Sequence, residues 1–481
     1  MPKAEKQIFI LILLFSLIRL IVAPFFGLGV DEAHYVLYAK YLDWSYLDHP
    51  PLVGWLHVPL LYIFGANEFL ARLPAILLFA ATSYCGYVFI LRITQSIRLA
   101  LVSVLALNCS FMLNALGLML LPDSILLLLV FLLIFVAERL ARTKRPLDFI
   151  FLGIILGLMG LAKYTAILLV PPLIVFFLMK KRYDVIFSPY MFLAAAIALL
   201  LILPVIYWNV MHDFISFRYQ GSHVFGSLAT SFKSFFVSLA AQFGAYSPFL
   251  FVVAVYGFFK VVRDKDDYLR LAVLFGGTIM VFFLMTSVSE RTLPHWPSIF
   301  YLLFIPVGTY HLYMSQKKWQ RNFLYIAVGF SLIAMLFAYA ELAGKFIPFP
   351  DYKSPFRDIY GYREMLAGAD DIVSKNISSR PKAIAVSNWT EGSRVMYYDM
   401  PYGHEIFILD DRQDQFDIWQ KKSPMGFDIL FINTEFHNTN VAKDVRCDHT
   451  AVAARKDILL NAAKVNTVEY IWCSNYQGAK K

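Results

Sequence analysis

Residue types that can carry out group transfer occur in a few short segments between long apolar runs. A carboxylate such as that of Asp31 can remove a proton from an attacking hydroxyl. The cations of Lys163 and Arg291 can hold a phosphate and stabilise negative charge on a leaving group. The candidate catalytic residues are Asp31 and Glu32, and the candidate substrate-binding residues are His49, Asp123, Lys163, Tyr164, Glu290, Arg291, His295 and Trp296.

Each candidate also has a purely structural interpretation. Asp31 and Glu32 are also placed to cap the helix that follows them, and Asp123 to cap an apolar span. Lys163 and Arg291 are equally typical of cations that anchor span ends at a membrane interface. Histidines beside prolines often order loops, and tryptophans often form interfacial belts, which applies to His49, His295, Trp44 and Trp296.

The elements that must position these residues are membrane spans. The chain has 481 residues, of which 59% are hydrophobic and 16% charged, and its mean hydropathy is +0.60. Soluble domains average about 25% charged residues, so an ordinary globular protein is excluded. The net charge of +9 does not indicate nucleic-acid binding, because the basic residues of the apolar part lie in its short connectors. Apolar runs predict about eleven spans, near residues 7–27, 69–91, 99–118, 124–138, 148–161, 165–180, 187–208, 246–262, 270–287, 298–314 and 322–342.

Basic connectors on alternate sides of these spans predict the topology. The positive-inside bias places the N-terminus in the cytoplasm and the candidate residues at the outer ends of spans. An odd number of spans then places residues 345–481 outside the cytoplasm. That segment alternates short apolar strands with helical stretches and predicts a soluble α/β domain following a membrane domain of residues 1–344. Whether its two cysteines, Cys447 and Cys473, form a disulfide is left open.

The charged candidate residues all lie at predicted outer ends of spans, so they are expected to converge on one pocket just outside the hydrocarbon. A lipid-linked sugar phosphate keeps its tail in the bilayer and its anionic phosphate at the interface, where the cations are expected. Trp44, Tyr46 and Trp296 are placed to stack against sugar rings. The residues therefore predict a transferase that uses a lipid-borne sugar.

Several motifs carry a resemblance to a known family. They are the Asp31-Glu32 pair after the first span, LDWSYLDHPPLVGWL at 42–56, LLPD at 120–123, GLAKYTA at 160–166 and RTLPHWP at 291–297. The chain resembles the bacterial members of glycosyltransferase family 39, the PMT-like, aminoarabinose-transferase-like enzymes with the GT-C fold. The resemblance covers about residues 7–340.

This resemblance implies an inverting transferase that takes its sugar from a polyprenyl phosphate at the periplasmic face of the bacterial inner membrane. Asp31 would be the catalytic acidic residue, with Glu32 beside it. The implied acceptor is lipid A or lipopolysaccharide core, with proteins and other glycans as alternatives. The chain carries HPP where aminoarabinose transferases carry Lys-Pro, so the sugar is left open. For an acceptor that is already an anionic phosphate, Asp31 would orient the acceptor or bind a metal.

Cofactors are also left open, a divalent cation (Mg²⁺ or Mn²⁺) among them. The alternative function is that of a multi-span transporter or flippase, which would also have many spans and buried charges. Such proteins usually contain internal repeats with broken helices near the midplane, and no convincing repeat occurs here. A structural membrane protein would explain the C-terminal segment but not the long charged and aromatic first connector.

Overall fold

The computed structural model describes residues 3–225, 231–289, 292–410, 412–436 and 439–479. The chain forms two compact units. The first comprises residues 1–21, 43–56 and 72–339, and the second comprises residues 22–42, 57–71 and 340–481. The predicted domain boundary between residues 344 and 345 stays a prediction. The units divide close to it, and two earlier segments join the C-terminal residues.

Helices account for most of the chain up to residue 344. They are α1 Lys3–Val22, α2 Val30–Lys40, α3 Leu52–Phe64, α4 Glu68–Thr94, α5 Ile97–Cys109, α6 Phe111–Leu116, α7 Pro122–Thr143, α8 Pro146–Ala162, a 3₁₀ helix Tyr164–Leu169, α9 Val170–Met179, α10 Tyr183–Ile186, α11 Pro189–Met211, α12 Ile215–Phe225, α13 Phe232–Ala245, α14 Pro248–Val261, α15 Asp267–Thr286, α16 Ser298–Tyr313 and α17 Lys318–Gly344. Each of the predicted apolar runs coincides with one of these helices or a consecutive pair. The mainly helical membrane architecture is therefore confirmed.

The number of spans stays a prediction. Among the described residues, five helices are long and apolar enough to cross a membrane, namely α4, α7, α11, α15 and α17. Helices α13 and α14 pass the same test as a pair that bends by 105°. Shorter apolar helices of 10–17 residues account for most of the other predicted runs.

The first connector between the predicted spans covers residues 28–68 and is largely helical. It contains α2 and α3, and α3 is a 13-residue apolar helix with Pro59 inside it. The sequence offered a helix after Asp31 only through the capping interpretation, and it did not predict α3, which is far shorter than the roughly 20 residues that span a bilayer. Helices α12 and α13 were missed for the same reason.

Local sequence signals set the helix ends in the first unit. Helix α7 begins with Pro122 at its first position, where the missing N–H costs no hydrogen bond. Ser124 Oγ accepts from the backbone N–H of Leu121 at 3.2 Å. The helix ends at Lys144, whose φ of 51° is left-handed. These signals place Asp123 in the first turn of α7.

Close packing in this unit depends on small residues. Helix α8 presents Gly153 and Gly157 to α11, where added Cβ atoms would lie 2.5 Å from the Ala194 carbonyl oxygen and 2.6 Å from Leu201. Such glycines let helix backbones approach closely in membrane proteins. A larger residue at either position would push α8 away from α11, and Lys163 lies directly after α8.

The second unit contains a five-stranded mixed sheet. Its strands are β1 Lys382–Val386, β2 Glu405–Ile408, β3 Asp428–Asn433, β4 His449–Leu460 and β5 Ala463–Ser474, in the order β2-β1-β3-β5-β4. Strand β1 pairs in parallel with β2 and β3, whereas β5 is antiparallel to β3 and β4. The sequence predicted β1, β3 and β5, so the small C-terminal α/β domain is confirmed. It missed the short β2 and the exposed β4.

Helices cover this sheet with amphipathic faces. They are α18 Tyr362–Lys375, α19 Trp389–Tyr398, α20 Gln415–Trp419 and α21 Val441–Asp444, with a 3₁₀ helix at Arg357–Ile359. Helix α18 buries Tyr362, Met365, Leu366, Ala369 and Val373, which is the spacing of one helix face. The same hydrophobic core includes residues of α2.

The cysteine question left open by the sequence is answered by the structure. Cys447 and Cys473 form a disulfide that joins residues 26 positions apart. Cys85 and Cys109 are free thiols.

Candidate functional site

A buried ion pair forms the centre of the candidate site in the first unit. The ammonium of Lys163 donates to both carboxylate oxygens of Asp123, at 2.8 and 2.7 Å. Asp123 lies in the first turn of α7, and Lys163 follows the last residue of α8. Their side chains are only 4% and 7% exposed. Asp123 therefore neutralises Lys163, and the capping alternative for Asp123 is not what its side chain does.

His295 joins this pair from a third connector. Its Nε2 atom lies 3.8 Å from an Asp123 carboxylate oxygen. Burial lowers the pKa of His295 to about 4, and Asp123, Lys163 and His49 are its charged or titratable neighbours. At neutral pH the imidazole is therefore neutral and acts as a hydrogen-bonding group, not as a cation. The structure thus brings together His49, Asp123, Lys163 and His295 from four connectors.

The connector carrying His295 is held by a tyrosine that sequence reasoning missed. The Tyr246 hydroxyl donates to the Pro294 carbonyl oxygen at 2.9 Å. The Tyr246 ring stacks on Tyr301 with centroids 3.6 Å apart. Trp296 packs against Phe283 with ring centroids 5.5 Å apart. The Trp296 ring therefore already has an aromatic partner within the protein. Tyr246 carried no sequence signal, because it lies between two apolar helices.

Asp43 organises the segment before His49, and sequence reasoning missed it as well. One carboxylate oxygen accepts from the Trp44 N–H at 2.7 Å, and the other accepts from the Trp208 indole at 2.8 Å. The backbone N–H of Asp43 donates to the Tyr46 hydroxyl at 2.9 Å. Tyr46 is fully buried, whereas Trp44 is 55% exposed. Of the two predicted stacking residues on this segment, only Trp44 is open to a ligand.

Tyr164 contacts the same segment. Its hydroxyl lies 3.4 Å from Ser45 Oγ, and its ring packs edge-on against Phe217 with centroids 5.7 Å apart. Ser216 and Gln220 donate to the carbonyl oxygens of Tyr46 and Asp48 at 3.0 and 2.8 Å. The segment is therefore tied to α12, which the sequence did not predict.

Asp31 and Glu32 belong to the second unit. They occupy the first turn of α2, where carboxylates favour helix formation. A Glu32 carboxylate oxygen accepts from the backbone N–H of Gly29 at 2.9 Å, so the capping interpretation is correct for Glu32. Glu32 is buried at 3% exposure, whereas Asp31 is half-buried.

The residues that follow Glu32 seat α2 in the core of the second unit. Residues 32–39 are all buried. His34 lies among the rings of Trp389, Phe416 and Trp419, with centroids 5.6–5.8 Å away. Its Nδ1 lies 3.2 Å from Ser393 Oγ. The packing of α2 among these aromatic and hydrophobic side chains therefore sets the position of Asp31.

Two predicted site residues, Glu290 and Arg291, lie outside the described residues. The described part of the chain contains no group of three or more His, Cys, Asp or Glu side chains that could hold a metal ion.

Comparisons with known proteins bear on this arrangement. The family model described as dolichyl-phosphate-mannose-protein mannosyltransferase matches residues 48–208, which include Asp123 and Lys163. A curated relative, the lipid A galacturonosyltransferase RgtD of Rhizobium johnstonii, is 22% identical over 389 residues, which are 76% of this chain and 80% of the relative.

Solved structures show the fold. ArnT from Cupriavidus metallidurans in the apo state matches with a TM-score of 0.64 at 14% identity, covering 98% of each chain. The same protein bound to undecaprenyl phosphate matches with a TM-score of 0.64 at 14% identity, covering 96% of this chain and 97% of that one. The two folds therefore correspond over nearly their whole lengths.

Proposed function

We propose that this chain, a PMT-like membrane glycosyltransferase with the GT-C fold, transfers a sugar from a polyprenyl phosphate to lipid A or a similar glycolipid. The observation that carries the proposal is the convergence of His49, Asp123, Lys163 and His295 from separate connectors. The transporter or flippase alternative receives no support from the comparisons.

The donor is proposed from the chemistry of this cluster and from the shared fold. ArnT, which has that fold, has been solved with undecaprenyl phosphate. In this chain the Lys163 ammonium has three protons, and it donates to two Asp123 oxygens. Its remaining donor capacity can serve a donor phosphate, while Asp123 holds the ammonium in place. Neutral His295 can donate a further hydrogen bond without adding charge.

The acceptor is proposed from the curated relative, whose name assigns it to lipid A. The acceptor oxygen attacks the anomeric carbon while the bond from that carbon to the phosphate oxygen breaks. The configuration at the anomeric carbon inverts, and the polyprenyl phosphate leaves with the bonding electrons. Where the acceptor is a hydroxyl, Asp31 takes its proton. Where it is an anionic phosphate, no proton is released and Asp31 orients the acceptor.

Glu32 has a narrower role in this proposal. Its carboxylate already accepts from the Gly29 backbone, so we assign it to the conformation of the first turn of α2. We therefore assign the acidic role in the reaction to Asp31 alone.

The proposed location is the bacterial inner membrane, with a cytoplasmic N-terminus and a periplasmic C-terminal domain. The basic connectors support this orientation through the positive-inside bias. The Cys447–Cys473 disulfide supports it independently, because such bonds persist in oxidising compartments.

The steps above are written without a metal ion. Metal dependence is decided by assaying the enzyme after EDTA treatment and again after adding Mg²⁺ or Mn²⁺. An activity that EDTA removes and a cation restores would add a metal to this mechanism.

Mass spectrometry of lipid A from a deletion strain tests the proposal. We expect lipid A to lose the mass of one glycosyl unit, and a plasmid carrying the wild-type chain to restore it. Core oligosaccharide and glycoproteins from the same strain are measured alongside. Unchanged lipid A with a mass lost from either of those fractions would overturn the proposed acceptor.

A further inference from the structure

We propose that Tyr398 is a positioning residue that fixes the backbone leading into Asp31. Tyr398 is the last residue of α19, in the second unit. The inference rests on the proposed function of Asp31 and adds a specific requirement to it. The C-terminal domain then contributes to the reaction through one hydroxyl group.

The Tyr398 hydroxyl makes two hydrogen bonds within the second unit. It accepts from the backbone N–H of Leu28 at 2.9 Å and donates to a Glu68 carboxylate oxygen at 3.1 Å. Leu28 is fully buried, so its N–H needs a protein partner. The hydroxyl therefore joins Tyr398 to Leu28, which lies 370 positions earlier in the sequence. Leu28 in turn lies three residues before Asp31.

A cation fixes the acceptor of this hydroxyl. Arg363 donates through its Nε to one Glu68 carboxylate oxygen at 3.2 Å, and through a terminal nitrogen to the other. The guanidinium carbon also lies 5.5 Å from the centre of the Tyr398 ring. Such a two-pronged pair sets the orientation of a carboxylate. Glu68 thus presents a fixed oxygen to Tyr398.

Gly27 shows how closely the backbone is seated at this point. A Cβ atom on Gly27 would lie 2.1 Å from the Ile359 carbonyl oxygen and 2.9 Å from the Tyr398 hydroxyl. Both neighbours belong to the second unit, and the first is backbone. Any side chain at Gly27 would force the segment away from Tyr398.

Asp31 lies between Leu28, whose backbone N–H is bonded to Tyr398, and the part of α2 that is buried in the hydrophobic core. On one side Leu28 is bonded to Tyr398, and on the other Glu32 closes the first turn on Gly29. The following residues Ala33 and Val36 are part of the hydrophobic core. Leu28 belongs to the same core, so its side chain stays packed when the Tyr398 hydroxyl is lost. What is lost is the hydrogen bond that fixes the backbone N–H of Leu28, three residues before Asp31.

The consequence is a loss of turnover more than a loss of substrate binding. A displacement of about 1 Å at a reacting group can cost about a hundredfold in rate. We expect Tyr398→Phe to lower kcat by about ten- to a hundredfold and to leave the KM for lipid A within about twofold. A merely structural defect would lower the amount of active enzyme and leave its pH profile unchanged. We expect Tyr398→Phe to alter the pH profile of kcat as well.

The neighbouring Tyr397 supplies a matched control. It lies on the same helix and is buried at 2% exposure, yet its hydroxyl has no hydrogen-bond partner among the described residues. Tyr397→Phe removes the same atom from an equally buried ring without breaking a hydrogen bond. We expect it to keep wild-type kcat.

The assay uses full-length protein in detergent. The donor is the polyprenyl lipid extract of the deletion strain, the acceptor is lipid A purified from that strain, and the product is quantified by mass spectrometry. Thermal unfolding is recorded for each variant. Glu68→Gln is the second variant, because it keeps an oxygen for Tyr398 but weakens the pair with Arg363; we expect a smaller fall in kcat.

The outcomes separate this inference from the function on which it rests. If Asp31→Asn keeps wild-type kcat, the proposed role of Asp31 fails. If Asp31→Asn is inactive while Tyr398→Phe equals Tyr397→Phe in kcat and pH profile, the positioning role of Tyr398 alone fails. If Tyr398→Phe does not fold, a Glu68→Gln enzyme with wild-type kcat overturns the inference, and one with reduced kcat and unchanged KM supports it.

Discussion

The two units hold their candidate residues by different physical means. In the first unit, Asp123 and Lys163 neutralise each other at 2.7–2.8 Å, with His295 beside them. In the second unit, the position of Asp31 follows from backbone hydrogen bonds and from the packing of α2 in the hydrophobic core. The first arrangement is centred on a buried ion pair, and the second on the packing of α2 and on hydrogen bonds to its backbone.

The difference teaches which substitutions each region tolerates. Removing one member of a buried ion pair leaves an unpaired charge, which is strongly destabilising. Replacing a carboxylate on a packed helix by its amide keeps the shape and leaves the fold in place. Stability changes should therefore dominate in the first unit, and activity changes in the second.

The largest expected effect is on activity at Asp31. We expect Asp31→Asn to lower turnover by about 10²- to 10⁴-fold, as the loss of a general base does, with unchanged membrane insertion. Complementation of the deletion strain followed by lipid A mass spectrometry measures it. Glu32→Gln is the comparison, because its amide oxygen can still accept from Gly29; a larger loss there than at Asp31 would contradict the assignment.

The next largest effect is on the stability of the first unit. We expect Asp123→Ala to destabilise the protein by about 3–5 kcal/mol, because Lys163 is left buried without its counter-ion. The double variant Asp123→Ala with Lys163→Met should be more stable than Asp123→Ala alone. Thermal unfolding in detergent measures both. Costs that simply add would show that the two charges do not depend on each other.

The disulfide of the second unit should contribute less. Replacing both Cys447 and Cys473 by serine opens a loop of 26 residues, and we expect a loss of about 2–4 kcal/mol. Cys85→Ser is the control, because Cys85 is a free thiol. Equal unfolding temperatures in reducing and oxidising buffer would rule out this contribution.

The smallest effect concerns pH. Burial raises the pKa of Glu391 to about 7, and Thr434 and Arg394 oppose the shift. The folded state therefore keeps a proton that the unfolded state loses above about pH 4.5. The resulting stabilisation is complete below that pH and is lost as pH rises towards 7, by about 2 kcal/mol between pH 5 and 7. Glu391→Gln should flatten this dependence in unfolding experiments, and an unaltered slope would refute the buried, protonated carboxyl.

Much of this fold could be predicted because its signals are local. Apolar runs located the membrane helices, and alternation located β1, β3 and β5. Short elements were harder to predict: α2 was expected only as the helix that Asp31 and Glu32 could cap, and α3 was not predicted, since neither reaches the length of a span. The edge strand β4 escaped because most of its residues are exposed, which removes the apolar signal.

The candidate site divides in the same way. The residue types of Asp123, Lys163 and His295 were sufficient to nominate them, because all three were expected at the outer ends of apolar runs, where a lipid-linked phosphate would lie. Tyr246 and Asp43 were not nominated. Their roles depend on contacts with Pro294 and Trp208, which lie 48 and 165 positions away, and no local pattern encodes such a distance.

The sequence by itself determined the solvent in which each segment is stable, because hydropathy and charge are sums over neighbouring residues. It therefore determined a helical membrane part and a polar C-terminal domain. Tertiary structure alone decided that Asp123 neutralises Lys163 and that Tyr398 contacts Leu28. Those are pairings between distant residues, and their free energy depends on the three-dimensional positions of both partners.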